Sequence, residues 1–327
     1  MPQMTDMRYL PALAKALRDE MAADPSVFVL GEDVRESLRG VTKGLLDEFG
    51  PDRVLDMPIS EQMFTSFATG AALAGRRPVV EYQIPSLLYL AFEQMANQAQ
   101  KLRLMTGGQA KVPVVYLVPG SGARLGLAAQ HSDHPYSLFT HVGIKTVLPA
   151  TPVDAYGLMI SAIRDDDPVL FMAPAAVLRE RGEVPDGPEP VPIGSARIHR
   201  AGSDVTVVAV GQLVHEALAV AEELEPQISV EVFDPRTLYP FDWELLAASL
   251  ARTGRLVVFD DSNRTGGLAA EILATATEEM RLVAPPQRVT RADTPIAFAV
   301  ELELAVLPSR AQLTAAIRSV AAGAWSR

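Results

Sequence analysis

The stretch Val54-Leu55-Asp56-Met57-Pro58-Ile59-Ser60-Glu61 decides the fold. Val54-Leu55-Asp56 reads as a short strand that Pro58 breaks, and Phe64, Phe67, Ala68, Ala71 and Ala72 then recur at helical spacing. Ser60 stands where a side chain can cap that helix, and Glu61 falls in the first turn, where a carboxylate complements the helix dipole. Beyond the helix, Pro78-Val79-Val80-Glu81-Tyr82 reads as another strand. Strand, helix and strand in succession imply a parallel sheet joined by right-handed crossovers.

The same alternation extends both ways. Leu10, Leu13, Leu17 and Met21 share one helical face that ends at Asp24-Pro25, and Val27-Phe28-Val29-Leu30 is an unbroken apolar run, as expected of a strand buried on both faces. Gly31-Glu32-Asp33-Val34 follows at the carboxyl end of that strand, the edge where open α/β sheets bind ligands. A short helix is expected around Thr42 to Phe49 and a long one from Leu87 to Met105. Strands are expected over Val112 to Val118, Lys145 to Leu148 and Val169 to Phe171, with a helix over Val153 to Arg164 and a Gly- and Ser-rich loop from Pro119 to Pro135. Pro174, Pro185, Pro188, Pro190 and Pro192 then exclude regular structure and mark a linker. Three further apolar strands, Val205 to Val210, Ser229 to Phe233 and Leu256 to Phe259, describe a second, smaller α/β domain. The fold class is therefore α/β, with a doubly wound, mostly parallel sheet followed by that smaller domain.

A chain of 327 residues is long for one domain. Hydrophobic residues make up 48% and the mean hydropathy is +0.14, yet no apolar run is long enough to cross a membrane. A chain this apolar is expected to cover part of its surface against other subunits. The net charge of −11 argues against a nucleic-acid partner, because neutralising phosphates needs clustered Lys and Arg. The absence of cysteine excludes disulfides, thiolate metal sites and a cysteine nucleophile. Arg8 and Lys15 stand in a polar-interrupted helical pattern instead of a signal peptide, so a cytoplasmic location is expected.

Three segments could carry chemistry besides Glu61. Gly120-Ser121-Gly122-Ala123-Arg124-Leu125-Gly126 is Gly-rich, but no Gly-Lys-Ser/Thr follows, which argues against a nucleotide phosphate cradle. Next comes Ala128-Ala129-Gln130-His131-Ser132-Asp133-His134, holding two of the five histidines. No third ligand stands at a recognised spacing, so no metal is expected there, while proton transfer by His131 and a hydrogen-bonded loop histidine both fit. Arg264-Thr265-Gly266-Gly267 precedes a helix and suits either an anion at its N-terminus or a simple turn.

Taken together, Gly31-Glu32-Asp33-Val34, Val41-Thr42-Lys43-Gly44-Leu45, Pro58-Ile59-Ser60-Glu61, Ala128-Ala129-Gln130-His131-Ser132, Asp154-Ala155-Tyr156-Gly157-Leu158 and Arg264-Thr265-Gly266-Gly267 stand in the order and spacing of a known family. The chain resembles, over nearly its whole length, the beta subunit of thiamin-diphosphate-dependent 2-oxo acid dehydrogenases, and Lys43 with Ala110-Lys111-Val112-Pro113 resembles acetoin-type members. The resemblance implies a pyrimidine-binding, transketolase-like domain over 1–175, a linker over 176–193 and a transketolase C-terminal-like domain over 194–327. It implies thiamin diphosphate and Mg²⁺ as cofactors, the ion held through a Gly-Asp-Gly segment that this chain lacks and an alpha subunit would supply in an α₂β₂ assembly. A lipoyl-bearing acyltransferase is a further implied partner.

By the same resemblance Glu61 binds the aminopyrimidine ring, Gln83 and Leu87 line the cofactor, and His131 assists proton transfer as the acyl unit passes to lipoamide. Leu87 stands where related chains usually carry an aromatic residue, His134 replaces a small one, and the loop between Val34 and Val41 is shorter than usual. Those departures raise a carboligase, passing the acyl unit to a carbonyl acceptor, as an alternative. A non-catalytic scaffold subunit is the other.

Overall fold

The computed structural model describes residues 3–123 and 126–324. They form two compact units, one from the residues up to 123 with 130–193, the other from 126–129 with 194–324. Through residue 193 the elements are β1 (Met4–Arg8), α1 (Tyr9–Ala23), β2 (Val27–Gly31), α2 (Leu45–Phe49), β3 (Val54–Asp56), α3 (Glu61–Leu73), β4 (Arg77–Glu81), α4 (Leu88–Glu93), α5 (Gln100–Met105), β5 (Val115–Ser121), α6 (Ala128–His131), α7 (Tyr136–His141), β6 (Lys145–Val147), α8 (Pro152–Arg164), β7 (Val169–Pro174) and β8 (Arg181–Pro185). Six parallel strands of the first unit run in the order β6-β7-β5-β4-β2-β3.

Every residue of β2 and β5 is buried, which is why these strands read as apolar runs without alternation. Successive side chains still go to opposite faces. Val115 and Leu117 join Leu13, Leu17 and Tyr156 in the core under α1 and α8. Tyr116 goes the other way and meets Tyr82 at 6.4 Å between ring centroids, and Tyr82 meets Phe64 of α3 at 5.5 Å. Helices thus cover the sheet on both faces.

The second unit contains β9 (Arg197–Arg200), β10 (Val205–Ala209), α9 (Leu213–Leu224), β11 (Val230–Asp234), β12 (Thr237–Tyr239), α10 (Trp243–Thr253), β13 (Leu256–Asn263), α11 (Leu268–Glu279), β14 (Gln287–Arg291), α12 (Val300–Val306) and α13 (Arg310–Ala322). Four strands lie parallel in the order β14-β13-β10-β11, and β9 adds antiparallel beside β11. Among the described residues no helix is long and apolar enough to cross a membrane.

Four local expectations change. The helix expected over Leu87 to Met105 is a 3₁₀ turn over Pro85–Leu87, then α4, then a π-helical stretch Gln94–Ala99, then α5. Ser60 is the N-cap residue of α3, but its side chain makes no cap bond; its carbonyl accepts the N–H groups of Met63 and Phe64 at 2.9 and 3.1 Å instead. Phe67, placed by periodicity on the buried face of α3, is 47% exposed. Within the Pro-rich stretch, Arg181–Pro185 is a strand pairing antiparallel with β1, so Pro185 ends a strand instead of preventing one.

The residues after β8 are pinned as well. Val191 N–H donates to the Gly157 carbonyl at 3.1 Å, and Ser161 Oγ donates to the Val191 carbonyl at 2.6 Å. A Cβ on Gly157 would stand 2.5 Å from Val191 Cγ2 and 2.8 Å from the Glu189 carbonyl oxygen. Although alanine is the better helix former, Gly157→Ala is expected to destabilise the chain by about 1–3 kcal/mol through this overlap. Urea unfolding of the two proteins measures it, and an unchanged or higher midpoint would contradict the close crossing.

Candidate functional site

The chain leaves β2 toward β3 on one side, whereas it leaves β4 toward β5 on the other. Adjacent strands with diverging connections leave a crevice at their carboxyl ends, where open α/β sheets hold ligands. Gly31 and Glu81 pair across that point. A Cβ on Gly31 would lie 2.4 Å from the Glu81 carbonyl oxygen, so glycine is required for the two strand ends to meet. Met57 N–H donates to the Gly31 carbonyl at 2.9 Å, which draws the turn after β3 toward β2 and sets where α3 begins.

Three carboxyl groups gather here. Glu61 opens α3, is 5% exposed and lies at the positive end of the helix dipole. Its backbone carbonyl accepts Thr65 Oγ1 at 2.5 Å, and Thr65 in turn shares a 2.6 Å hydrogen bond with Tyr82 Oη, tying α3 to the end of β4. Glu32, one residue past β2, lies close enough to Glu61 to feel its charge. Burial, with the charges of Glu61 and Asp33, holds Glu32 above the usual carboxylate range. Glu32 Oε1 has no hydrogen-bond partner among the described residues.

Glu81 is wholly buried, and burial pushes its pKa up from 4.5 to about 7, against the opposing pull of Arg39 and a hydrogen bond from Gln83. Its Oε2 likewise meets no partner among the described residues. Gln83 lies between these groups. Its Nε2 donates to the Glu32 carbonyl at 2.6 Å, and its Oε1 accepts from Arg39 Nε at 3.2 Å. Carboxyls raised toward protonation, with uncommitted buried oxygens, suit a neutral, hydrogen-bonding heterocycle better than an anion or a metal ion. The donor set therefore fits an aminopyrimidine.

Of the residues named from the sequence, Glu61 and Gln83 are brought together through Glu32. Leu87 ends the 3₁₀ turn that follows β4 and is half-buried. His131 is the last residue of α6, half-buried, and its side chain makes no hydrogen bond to another described residue. His134 is put to structural use: it is 3% exposed and its Nε2 lies 3.1 Å from Ser121 Oγ. A Cβ on Gly122 would fall 2.4 Å from the His134 ring, so packing against an imidazole accounts for that glycine. Arg124 and Leu125 of the Gly-rich stretch lie outside the described residues. At Arg264-Thr265-Gly266-Gly267 the anion is the chain's own: the Asp293 carboxylate accepts Thr265 N–H at 2.9 Å and Thr265 Oγ1 at 2.6 Å.

Periodicity passes over Glu81 and Arg39 as members of the site, and it gives Glu32 no role. The available signal is a lone charge inside the apolar strand Pro78 to Tyr82, because a charge in a doubly covered strand is costly unless it has work to do.

Comparison with known proteins agrees with this geometry. Residues 5–180 match the family described as "Transketolase, pyrimidine binding domain", and residues 194–313 match "Transketolase, C-terminal domain". The chain is 41% identical over 315 residues to the pyruvate dehydrogenase E1 component subunit beta of Rickettsia felis, covering 94% of this chain and 96% of that one. It is also 41% identical over 335 residues to the acetoin:2,6-dichlorophenolindophenol oxidoreductase subunit beta of Cupriavidus necator, covering 95% and 96%. A solved structure titled "Split gene transketolase, inactive beta4 tetramer" shares the fold with a TM-score of 0.79 at 24% identity, over 96% of this chain and 98% of that one. With both domain patterns in sequence and two-fifths of its residues shared along nearly all its length, the chain belongs to the beta subunits of the thiamin-diphosphate-dependent 2-oxo acid dehydrogenases.

Proposed function

We propose that the crevice at the ends of β2 and β4 is the pyrimidine half of a cofactor site, and that an alpha subunit holding the diphosphate and Mg²⁺ completes it in a cytoplasmic α₂β₂ enzyme. The observation that carries this reading is Glu61, buried at a helix N-terminus with Glu32 beside it. The lack of a Gly-Asp-Gly segment in the chain is consistent with a divided site. When bound, thiamin diphosphate supplies a carbon acid that, once deprotonated, adds to 2-oxo groups and stabilises the charge left when CO₂ departs.

The residues of this chain prepare that chemistry. Glu61 would hydrogen-bond the ring nitrogen of the aminopyrimidine, and Glu32, held above the usual carboxylate range, would stand beside that bond as a proton donor. Gln83, clamped between the Glu32 carbonyl and Arg39, fixes the floor beside it. Leu87 offers an aliphatic wall. His131, with no side-chain hydrogen bond among the described residues, would donate a proton when the acyl unit leaves for lipoamide, where a lipoyl-bearing acyltransferase is the acceptor.

Glu61→Gln, purified with the alpha subunit, is expected to lower decarboxylation measured with an artificial electron acceptor by about 10²- to 10⁴-fold; full turnover would defeat the reading. His131→Asn is expected to depress acyl transfer to a lipoyl domain more than it depresses reduction of the artificial acceptor, and equal losses would argue against its acid role. Glu81 sets a pH dependence of stability. Between 4.5 and about 7 the folded chain keeps a proton that the unfolded chain has released. The stabilisation is thus complete below 4.5 and is lost as the pH rises to about 7. Urea unfolding at about pH 5 and about pH 8 should show the wild type falling relative to Glu81→Gln, which keeps the neutral shape; parallel stabilities would contradict it.

A further inference from the structure

Arg39 brings to the site a cation whose hold on Gln83 engages only its Nε. It lies on the loop between β2 and α2, which is closed at its neck by Thr42 Oγ1 donating to the Val34 carbonyl at 2.7 Å. Val34 and Val41, at either end of this neck, are wholly buried. Inside the loop, Gly40 N–H donates to the Ser37 carbonyl at 2.9 Å. A Cβ on Gly40 would come within 3.0 Å of Leu10 Cδ2, so the loop is seated on α1. Arg39 is therefore carried by a fixed support.

Its guanidinium has five N–H donors, of which one is spent. Nε donates to Gln83 Oε1 at 3.2 Å, and the two Nη groups meet no acceptor among the described residues. Glu81 attracts Arg39 but is not ion-paired with it, and burial keeps Glu81 titrating near neutrality even so. Burial also lowers the pKa of Arg39 itself, the mark of a cation that has lost water without gaining a full partner. A half-buried guanidinium held by one edge, with its other edge open beside Gln83, has the shape that receives a carboxylate through two parallel bonds.

The carboxylate it suits is one that stays. A cation fixed on the carboxylate that departs as CO₂ would stabilise the bound substrate more than the transition state, in which that charge moves away. We propose that Arg39 is the specificity-determining residue of this site and takes the second, non-reacting carboxylate of a 2-oxo dicarboxylate substrate. The proposal rests on the cofactor reading above and names the substrate class for it.

The test uses the co-purified alpha–beta enzyme with two probes of equal chain length, 2-oxoglutarate and 2-oxopentanoate. Wild-type enzyme is expected to favour the dicarboxylate in kcat/KM, and Arg39→Leu to reduce that ratio roughly 10- to 100-fold, with Arg39→Lys between them. Binding of the unreactive acids glutarate and pentanoate, followed by calorimetry on wild type, gives a readout free of turnover and of any folding defect in the variant. Glutarate is expected to bind roughly 10-fold or more tightly than pentanoate. A wild-type enzyme indifferent to the second carboxylate in both assays overturns the proposal. So does an Arg39→Leu enzyme whose ratio is unchanged, which would leave Arg39 as a counter-ion to Glu81. If neither 2-oxo acid is turned over and thiamin diphosphate does not bind, the cofactor reading itself fails, a result distinct from turnover without charge preference.

Discussion

Removing a carboxylate from water costs several kcal/mol unless a partner or a proton offsets the loss. This chain buries Glu61 and Glu81 and half-buries Glu32 at one edge of a sheet, and the geometry around that edge follows from how the loss is offset. Glu61 gains the helix dipole, Glu32 is held above the usual carboxylate range, and Glu81 is left with Gln83 and a distant guanidinium. Glu81, pushed up to about 7, can accept and return a proton near neutral pH.

The scaffold makes the arrangement rigid. Gly31 lets the ends of β2 and β4 touch, Met57 ties the following turn to β2, and the Thr65–Tyr82 hydrogen bond locks the first turn of α3 onto the end of β4. None of these contacts adds much stability by itself. Together they fix where the backbone of Glu61 stands, which matters more for a carboxyl at a crevice than its affinity for any one neighbour.

Much of this was legible in the sequence. The buried parallel strands declared themselves as unbroken apolar runs, because a strand covered on both faces has no reason to alternate. Glu61 stood out through its place between a broken strand and a helix start. Glu81 did not, since a single charge in an apolar run looks like a strand end until the opposite strand supplies Gly31. Arg39 was hidden for a different reason: its role depends on a loop closure made by Thr42 and a seat offered by Leu10, distances that no local pattern encodes. The π-helical stretch at Gln94–Ala99 was invisible because its one-residue excess leaves composition unaltered. Pro-rich composition misled at Arg181–Pro185, where edge pairing with residues nearly 180 positions earlier tolerates proline.

That last pairing has a bearing on how such a unit can travel between genes. Met4 faces Pro185 and Arg8 faces Arg181, so the first strand of the first unit lies beside its last. Asp186 fastens the seam by donating its N–H to the Gln3 carbonyl at 2.9 Å and accepting Thr5 Oγ1 at 2.7 Å. A unit whose first and last strands pair is closed on itself along that seam, so it can be carried from one polypeptide into another without prying its layers apart.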